Sequence, residues 1–423
     1  MTKVKEIAYA VLEAVLECCC GLDVHKKTVT ACLLHGPLDQ PPRELVATFA
    51  TTTRGLLELR DWLESHSCTH VAMESTGIYW RPVYHILEGA VTILLVNARH
   101  MKQLPGRKTD INDAQWIARL LRWGLLKPSL IPPRPIRELR DLCRYRKKLT
   151  QEAGAEKNRV HKVLEDANIK LASVASDIFG ASGQAMLEVL IAGDFNPVET
   201  AELAQGKLRQ KIPQLIEALE GRVGEHHRFL LRMHLEHLAY LQQAVNELHA
   251  RIDEKLQPYK EQVELVKSLP GVDTVTAQHS FVEMGGDINL FPSDGHYASW
   301  IGICPGNNES GGKQKSGRTP KGNRWLYSLL VQSGNAVSRS KGTYAGAFYH
   351  RVARRRGKMR AAVAAGHHLA RAMYHVLKEG RSYEDLGADY FDRRNHDTLK
   401  AHLIARLQGL GYQVDLTPEA AIA

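Results

Sequence analysis

The chain has 423 residues, 44% hydrophobic and 24% charged, with a net charge of +10, a size that accommodates two or three domains. These values exclude a disordered or fibrous chain, and no uninterrupted apolar run of about 18 residues offers a membrane span. Seven cysteines, three of them consecutive at Cys18-Cys19-Cys20, show neither a disulfide framework nor paired metal spacing, so reduced, mostly buried thiols in a cytoplasmic protein are expected.

In chain order, Ile7 to Leu16 is apolar with a helical pattern, but Glu13 and Glu17 and the lack of a small-residue cleavage site argue against a signal peptide. Strands are predicted at Gly21–Val24 and Thr28–Leu34, a hairpin about His25-Lys26-Lys27, and at Glu44–Phe49. A helix over Arg54–Ser65, a strand at His70–Met73, a helix over Tyr79–Leu87 and a strand at Val91–Val96 follow. Then Lys108-Thr109-Asp110-Ile111-Asn112-Asp113-Ala114 opens a helix to about Leu126, with Ala114, Ile117, Ala118, Leu121 and Leu125 on one face. The order β-β-β-α-β-α-β-α predicts a mixed sheet with helices on its faces, in which strand ends carry the site.

Four acids stand out on this frame. Asp23 interrupts an apolar strand between Leu22 and Val24, Glu74 ends the fourth strand before Ser75-Thr76-Gly77, and Asp110 and Asp113 lie in line with the apolar stripe of the following helix. A carboxylate in such a place is costly unless a cation or proton compensates it. One reading makes Asp110 an N-cap and Asp113 a first-turn acid. The other makes the four a set of hard oxygen ligands for Mg²⁺ or Mn²⁺, suited to phosphodiester chemistry.

Leu22-Asp23-Val24-His25-Lys26, Met73-Glu74-Ser75-Thr76-Gly77 and Lys108-Thr109-Asp110 with Asp113-Ala114 resemble the motifs of the DEDD transposases of bacterial insertion sequences. The resemblance covers about residues 20–130 and 265–380. It implies a ribonuclease-H-like domain similar to Holliday-junction resolvases, with Asp23, Glu74, Asp110 and Asp113 as the catalytic metal-binding quartet. It also implies recombination rather than hydrolysis, assembly as a homodimer or homotetramer and, in some members, a guide (bridge) RNA that pairs with donor and target DNA. Capping and metal binding by Asp110 are not exclusive.

Pro132-Pro133 with Pro135 marks a linker, after which the chain turns helical and carries a basic run from Arg134 to Lys162. Asp194-Phe195-Asn196-Pro197 breaks the helical region. In a helix over Arg222–Leu256, Leu241, Val245, Leu248 and Ile252 keep a 4-3-4 spacing, preceded out of phase by Leu231, Leu235 and Leu238. This pattern reads as a short coiled coil with a stutter. A dimerisation arm is preferred to an intrachain hairpin because the other faces are polar. The expected divisions are a catalytic domain over 1–130, a coiled-coil region over 131–262, a mainly helical C-terminal domain over 263–380 and a helical tail over 381–423.

Leu269-Pro270-Gly271-Val272-Asp273 and the residues to Ala277 read either as a helix-hairpin-helix turn offering Gly271 to a DNA phosphate or as a plain Pro-Gly turn. From Ser310 to Lys378 there is no Asp or Glu but 15 Lys and Arg. Such unmixed charge predicts contact with DNA or RNA, with Lys313, Lys315, Arg318, Lys321, Arg324, Arg354, Arg355 and Arg356, and Lys108 from the N-terminal part, as candidates. Asn308-Glu309-Ser310-Gly311-Gly312-Lys313 is not a P-loop: counted from Gly306, the lysine position is held by Gly312. A serine between flexible glycines beside cations suits a phosphate-gripping loop or a nucleophile. The family resemblance implies the nucleophile, matched by Ser310, with Ser316 as the reserve choice. The function expected is metal-dependent DNA strand cleavage and exchange by an insertion-sequence transposase, guided by a structured RNA. A resolvase-like nuclease would need the acids but not Ser310, and a plain nucleic-acid-binding protein only the basic window. A nucleophile and a metal set acting on one phosphate must meet within a few ångströms, within one subunit or between two.

Overall fold

The computed structural model describes residues 14–75, 77–97, 113–193, 195–306 and 308–416, with backbone alone for 308–310 and 313–315. The chain forms two compact units, Met1–Ile131 and Pro132–Ala423.

In the first unit, β1 (Cys18–Val24), β2 (Thr28–His35) and β3 (Arg43–Ala50) form an antiparallel meander, followed by α1 (Thr53–Ser65), β4 (His70–Glu74), α2 (Trp80–Leu87), β5 (Thr92–Val96) and α3 (Asp113–Arg122). The sheet order is β3-β2-β1-β4-β5, with β1, β4 and β5 parallel. This mixed α/β arrangement is compatible with a ribonuclease-H-like domain. Alternation along β1 sends its residues to two cores. Cys18, Cys20 and Leu22 pack with Leu56, Leu59 and Leu63 of α1 and Val83 and Leu87 of α2. Cys19 packs on the opposite face with Ala72, Val96 and the Ala114, Ile117, Ala118 and Leu121 stripe of α3. The three consecutive cysteines are therefore the small apolar residues of a central strand; burial pushes the Cys19 thiol up to about 12, and no described cysteine is bridged.

Helix α3 stops earlier than the periodicity suggests. Gly124 adopts a left-handed conformation (φ 65°) and ends the helix, so Leu125 reaches the same core from outside the helical repeat.

The second unit begins where the prolines cluster. Pro133 precedes α4 (Arg134–Asp166), with Pro135 in its first turn, where a missing N–H costs nothing. After shorter helices comes α5 (Glu225–Leu256). It runs antiparallel to α4: Lys255 Nζ donates to Glu138 at 3.0 Å, Arg146 lies 3.1 Å from His249, and Asp166 pairs with His227 at 3.0 Å. Part of the leucine stripe packs within this pair, Leu241 and Val245 burying against Leu149 of the same chain with Leu248 beside them. The intrachain hairpin is the arrangement found. At its far end Leu231 joins Val160, Leu164, Met186, Leu190, Leu215 and Leu219 in a separate core.

The C-terminal part of this unit holds α6 (Lys260–Lys267), α7 (Thr274–Met284), α8 (Asp294–Ile301), a hairpin of β6 (Asn308–Ser310) and β7 (Lys313–Ser316), α9 (Arg324–Ala336), α10 (Tyr344–Arg356) and α11 (Lys358–Glu379). Helices α12 (Tyr390–Arg394) and α13 (His396–Gly409) follow. Helix α4 belongs to both the arm and this part, because Arg146 donates to Gln278 of α7 at 2.9 Å; residues on either side of 262/263 thus share one unit. No helix among the described residues is long and apolar enough to cross a membrane.

Candidate active site

Three acids come to one end of the first unit's sheet. In the β1–β4 register Leu22 lies beside Met73, so the next pair outward is Asp23 and Glu74, at the carboxyl ends of neighbouring parallel strands and on the same face. That face is the one α3 covers. A Cβ added at Gly21 would stand 2.2 Å from the Ala114 carbonyl oxygen and 2.4 Å from the Ala118 nitrogen, while the Cys19 thiol donates to the Ala118 oxygen at 3.6 Å. Going from Cys19 to Gly21 therefore moves back along α3 from Ala118 towards Ala114. The step beyond brings Asp23 opposite Asp113, the first residue of the helix. Gly21 is the residue that lets helix and strand approach this closely.

The electrostatics follow. Asp23 is about a quarter exposed, with its carboxylate 3.1 Å from His25. Burial raises its pKa above the ordinary carboxylate value, His25 opposes the rise, and the charges of Asp113 and Glu74 add to it. Three like charges are thus gathered at this end of the sheet. Among the described residues no group of three or more His, Cys, Asp or Glu closes into a ready metal cage; Asp110, the fourth member, lies outside the described residues, as does Lys108.

The second candidate is the serine hairpin. β6 and β7 pair antiparallel with Ser310 opposite Lys313, and the turn is Gly311-Gly312, both left-handed (φ 59° and 72°), as a two-residue hairpin turn of the favoured twist requires. The serine is therefore the last residue of a strand, directly before the turn. A Cβ on either glycine would meet nothing within 4 Å, so the turn stands in open space. The hairpin's base is tight: a Cβ at Gly306 would lie 2.1 Å from the Arg318 oxygen, and one at Gly322 2.4 Å from the Ile301 backbone. Gly306 thus serves close packing. Ser316, the reserve nucleophile, accepts a hydrogen bond from the Arg318 N–H at 3.2 Å.

The basic candidates divide. Arg318, Lys321, Arg324, Arg354, Arg355 and Arg356 are exposed, Arg324 lying 5.4 Å over the Trp325 ring; the backbone of Lys313 and Lys315 lies in β7. The Arg134–Lys162 run differs, for Arg146 is buried and Arg140 and Arg144 turn inward. Gly271 (φ 74°) makes the turn between α6 and α7, where a Cβ would stand 2.8 Å from the Ser333 oxygen, and Asp273 caps α7 through the Thr276 N–H at 2.8 Å.

The sequence reading missed Glu283. Fully buried on α7, it accepts two bonds from Arg144, at 2.6 and 2.8 Å, and one from Asn323 at 2.9 Å, with His279 3.5 Å away. Burial would raise its pKa, but His279, Arg144 and Asn323 outweigh burial and lower it to about 2. Asn323 also caps α9, accepting from Trp325 and Leu326, so the network fixes the point where the chain leaves the serine hairpin. A lone acid inside Phe281-Val282-Glu283-Met284, with Arg140 and Arg144 one turn apart, was the available signal.

A family model of transposases of the DEDD, IS110 type matches residues 20–169, and a model of the transposase IS116/IS110/IS902 family matches 263–350. Together they span more than half of the chain. A probable family 20 transposase of Pseudomonas aeruginosa is 22% identical over 286 residues, 67% of this chain and 75% of that protein. The transposase for insertion sequence element IS1533 of Leptospira borgpetersenii is 29% identical over 158 residues, 36% and 44% of the two chains. A pilin gene-inverting protein of Moraxella lacunata is 32% identical over 110 residues, 23% and 32% of the two. The molecule is a DNA transposase. Within that class the chain belongs to the DEDD-type insertion-sequence transposases of the IS110 family. Membership implies DNA binding and the use of a divalent metal.

Proposed function

We propose that Asp23, Glu74 and Asp113, with Asp110, hold Mg²⁺ or Mn²⁺, and that Ser310 is the nucleophile of DNA strand cleavage and rejoining. The observation that carries the metal assignment is the placement of Asp23 and Glu74 at the carboxyl ends of neighbouring strands, with Asp113 at the start of the helix packed on them: a bound cation stabilises like charges gathered in this way. The donors are hard carboxylate oxygens, which fit such ions. A divalent ion there would neutralise charge on a phosphodiester and activate an oxygen nucleophile or leaving group.

The chain's own residues do the rest. His25 orients the Asp23 carboxylate. The paired strands β6 and β7 hold Ser310 beside the Gly-Gly turn, and Arg318 and Lys321 follow within the same basic stretch to offset phosphate charge. The serine Oγ loses its proton and bonds to phosphorus, while the bond from phosphorus to one deoxyribose oxygen breaks and that oxygen leaves with a proton. The phosphoserine linkage conserves the phosphodiester's energy, so a second deoxyribose hydroxyl can displace the serine and restore it. The acid-free window also suits a structured RNA whose pairing selects the DNA. Assembly as a homodimer or homotetramer completes the reading.

The test is to trap the full-length protein on a DNA substrate with the RNA that co-purifies with it and to map the adduct by mass spectrometry. A DNA-linked peptide bearing Ser310 is expected, with adduct and strand exchange lost in Ser310→Ala and binding nearly intact. An adduct on another residue overturns the nucleophile. Strand cleavage retained by Ser310→Ala supports the resolvase-like nuclease instead.

A further inference from the structure

One cavity in the second unit has a composition of its own. Its volume is about 490 Å³, within the range of small-ligand sites, and its wall combines His350, Arg351, Arg354 and Arg355 of α10 with Phe391 and Asp392 of α12. The three arginines are exposed, and among the described residues none makes an ion pair with a carboxylate, although Asp392 lines the same cavity. The His350 ring is fixed by a 3.0 Å contact between its Nε2 and the Ser338 carbonyl oxygen. Arg351 lies 5.0 Å over the Phe391 ring. Phe391 is in turn stacked on Tyr344 at 5.1 Å and 23° and on Phe348 at 6.3 Å and 25°. The pocket thus offers a flat cation seated on an aromatic ring, which a further aromatic stack holds still, beside two further cations.

A duplex has little use for such a surface, because its bases are already stacked and it presents only edges and phosphates. An unpaired base uses it fully, since any base can lie on an aromatic ring or a guanidinium plane while its phosphate meets neighbouring arginines. We infer that the α10–α12 cavity binds one unpaired nucleotide, its base on the exposed guanidinium of Arg351, which Phe391 backs, and its phosphate on Arg354 and Arg355. This rests on reading the acid-free window as a nucleic-acid surface. The nucleotide belongs to a single-stranded part of either the DNA or an RNA; both present the same phosphate and base face.

The test uses two full-length variants that keep the net charge, so that long-range attraction is constant: Phe391→Leu, which keeps apolar packing but removes the ring, and Arg351→Lys, which keeps the charge but removes the plane. Affinity is measured by fluorescence anisotropy for a single-stranded DNA, a single-stranded RNA and a duplex of the same sequence. Each variant is expected to weaken at least one single-stranded probe by on the order of tenfold while duplex binding stays as in the parent; which probe weakens identifies the strand. Unchanged affinity for both single strands, or equal loss on the duplex, overturns the inference. A parent protein that binds no probe sinks the wider nucleic-acid reading instead. Circular dichroism of Phe391→Leu separates lost stacking from lost folding.

Discussion

Asp23, about a quarter exposed, and Glu283, fully buried, are acids, one in each unit, and their environments push them in opposite directions. Around Asp23 burial and the acids Glu74 and Asp113 raise the pKa. Around Glu283 two bonds from Arg144 and one from Asn323, with His279 nearby, lower it to about 2. The second acid is satisfied by the protein alone and serves to join α4, α7 and the start of α9. The first has His25 beside it but also two further acids, a gathering of like charge that is commonest at functional sites. An acid within an apolar stretch is therefore ambiguous by itself; what surrounds it decides between scaffold and site.

The largest effect that sharpens this contrast is on activity. Asp23→Asn should remove several kcal/mol of transition-state stabilisation, roughly a thousandfold in strand-exchange rate, while the melting temperature holds or rises because a repelling charge is gone. A fall in melting temperature with activity retained would place Asp23 with the scaffold. Glu283→Ala should do the reverse, costing about 3–5 kcal/mol of stability, since it leaves half-buried Arg144 without the carboxylate it donates to twice. Urea unfolding measures it.

The pH dependence of that stability has a defined sign. Glu283 has a folded pKa below its unfolded one, so its contribution is present above about pH 4.5 and is lost as pH falls towards about 2. Asp23, raised in the folded state, contributes oppositely: its penalty is absent below pH 3.8 and appears as pH rises through its folded value. The Glu283→Gln variant should accordingly lose most of the parent's decline in stability between pH 4.5 and 2, and Asp23→Asn should keep it. The smallest effect concerns Gly21. Its alanine variant forces a Cβ to within 2.2 Å of the Ala114 oxygen, and the overpacking should cost about 1–3 kcal/mol. Because the start of α3 must move away from β1, activity should fall by more than the stability loss explains; an unaltered rate would show that the α3–β1 spacing does not set the acids.

Much of the first unit was legible because strand and helix periods are local. The β-β-β-α-β-α-β-α order and the apolar face of α3 follow from alternation and 3-4 spacing, and Asp23 and Glu74 stood out as charges in apolar strands. The early end of α3 was missed because Gly124 acts through its own backbone conformation, which an apolar stripe continuing to Leu125 conceals. The second unit was less legible because its pairings are distant in sequence. A leucine stripe looks the same whether it meets α4 or another chain, so Leu241 and Val245 could not be assigned a partner by spacing. Arg140, Arg144 and Arg146 looked like surface charge because Glu283 and Gln278 lie more than 100 residues away. The Ser310 hairpin was read as a flexible loop because a Gly-Gly pair serves a tight turn as readily as a mobile one.

The contrast between the two acids is tested most directly by thermal unfolding against Mg²⁺. If the sheet-end acids form a cation site, saturating the parent protein at about 100-fold over Kd should stabilise it by on the order of 2.7 kcal/mol, Glu283→Gln should gain as much from its lower baseline, and Asp23→Asn should gain little or nothing. Identical melting curves for the parent protein in Mg²⁺ and in chelator, or an Asp23→Asn variant that responds to Mg²⁺ as the parent does, would contradict the account.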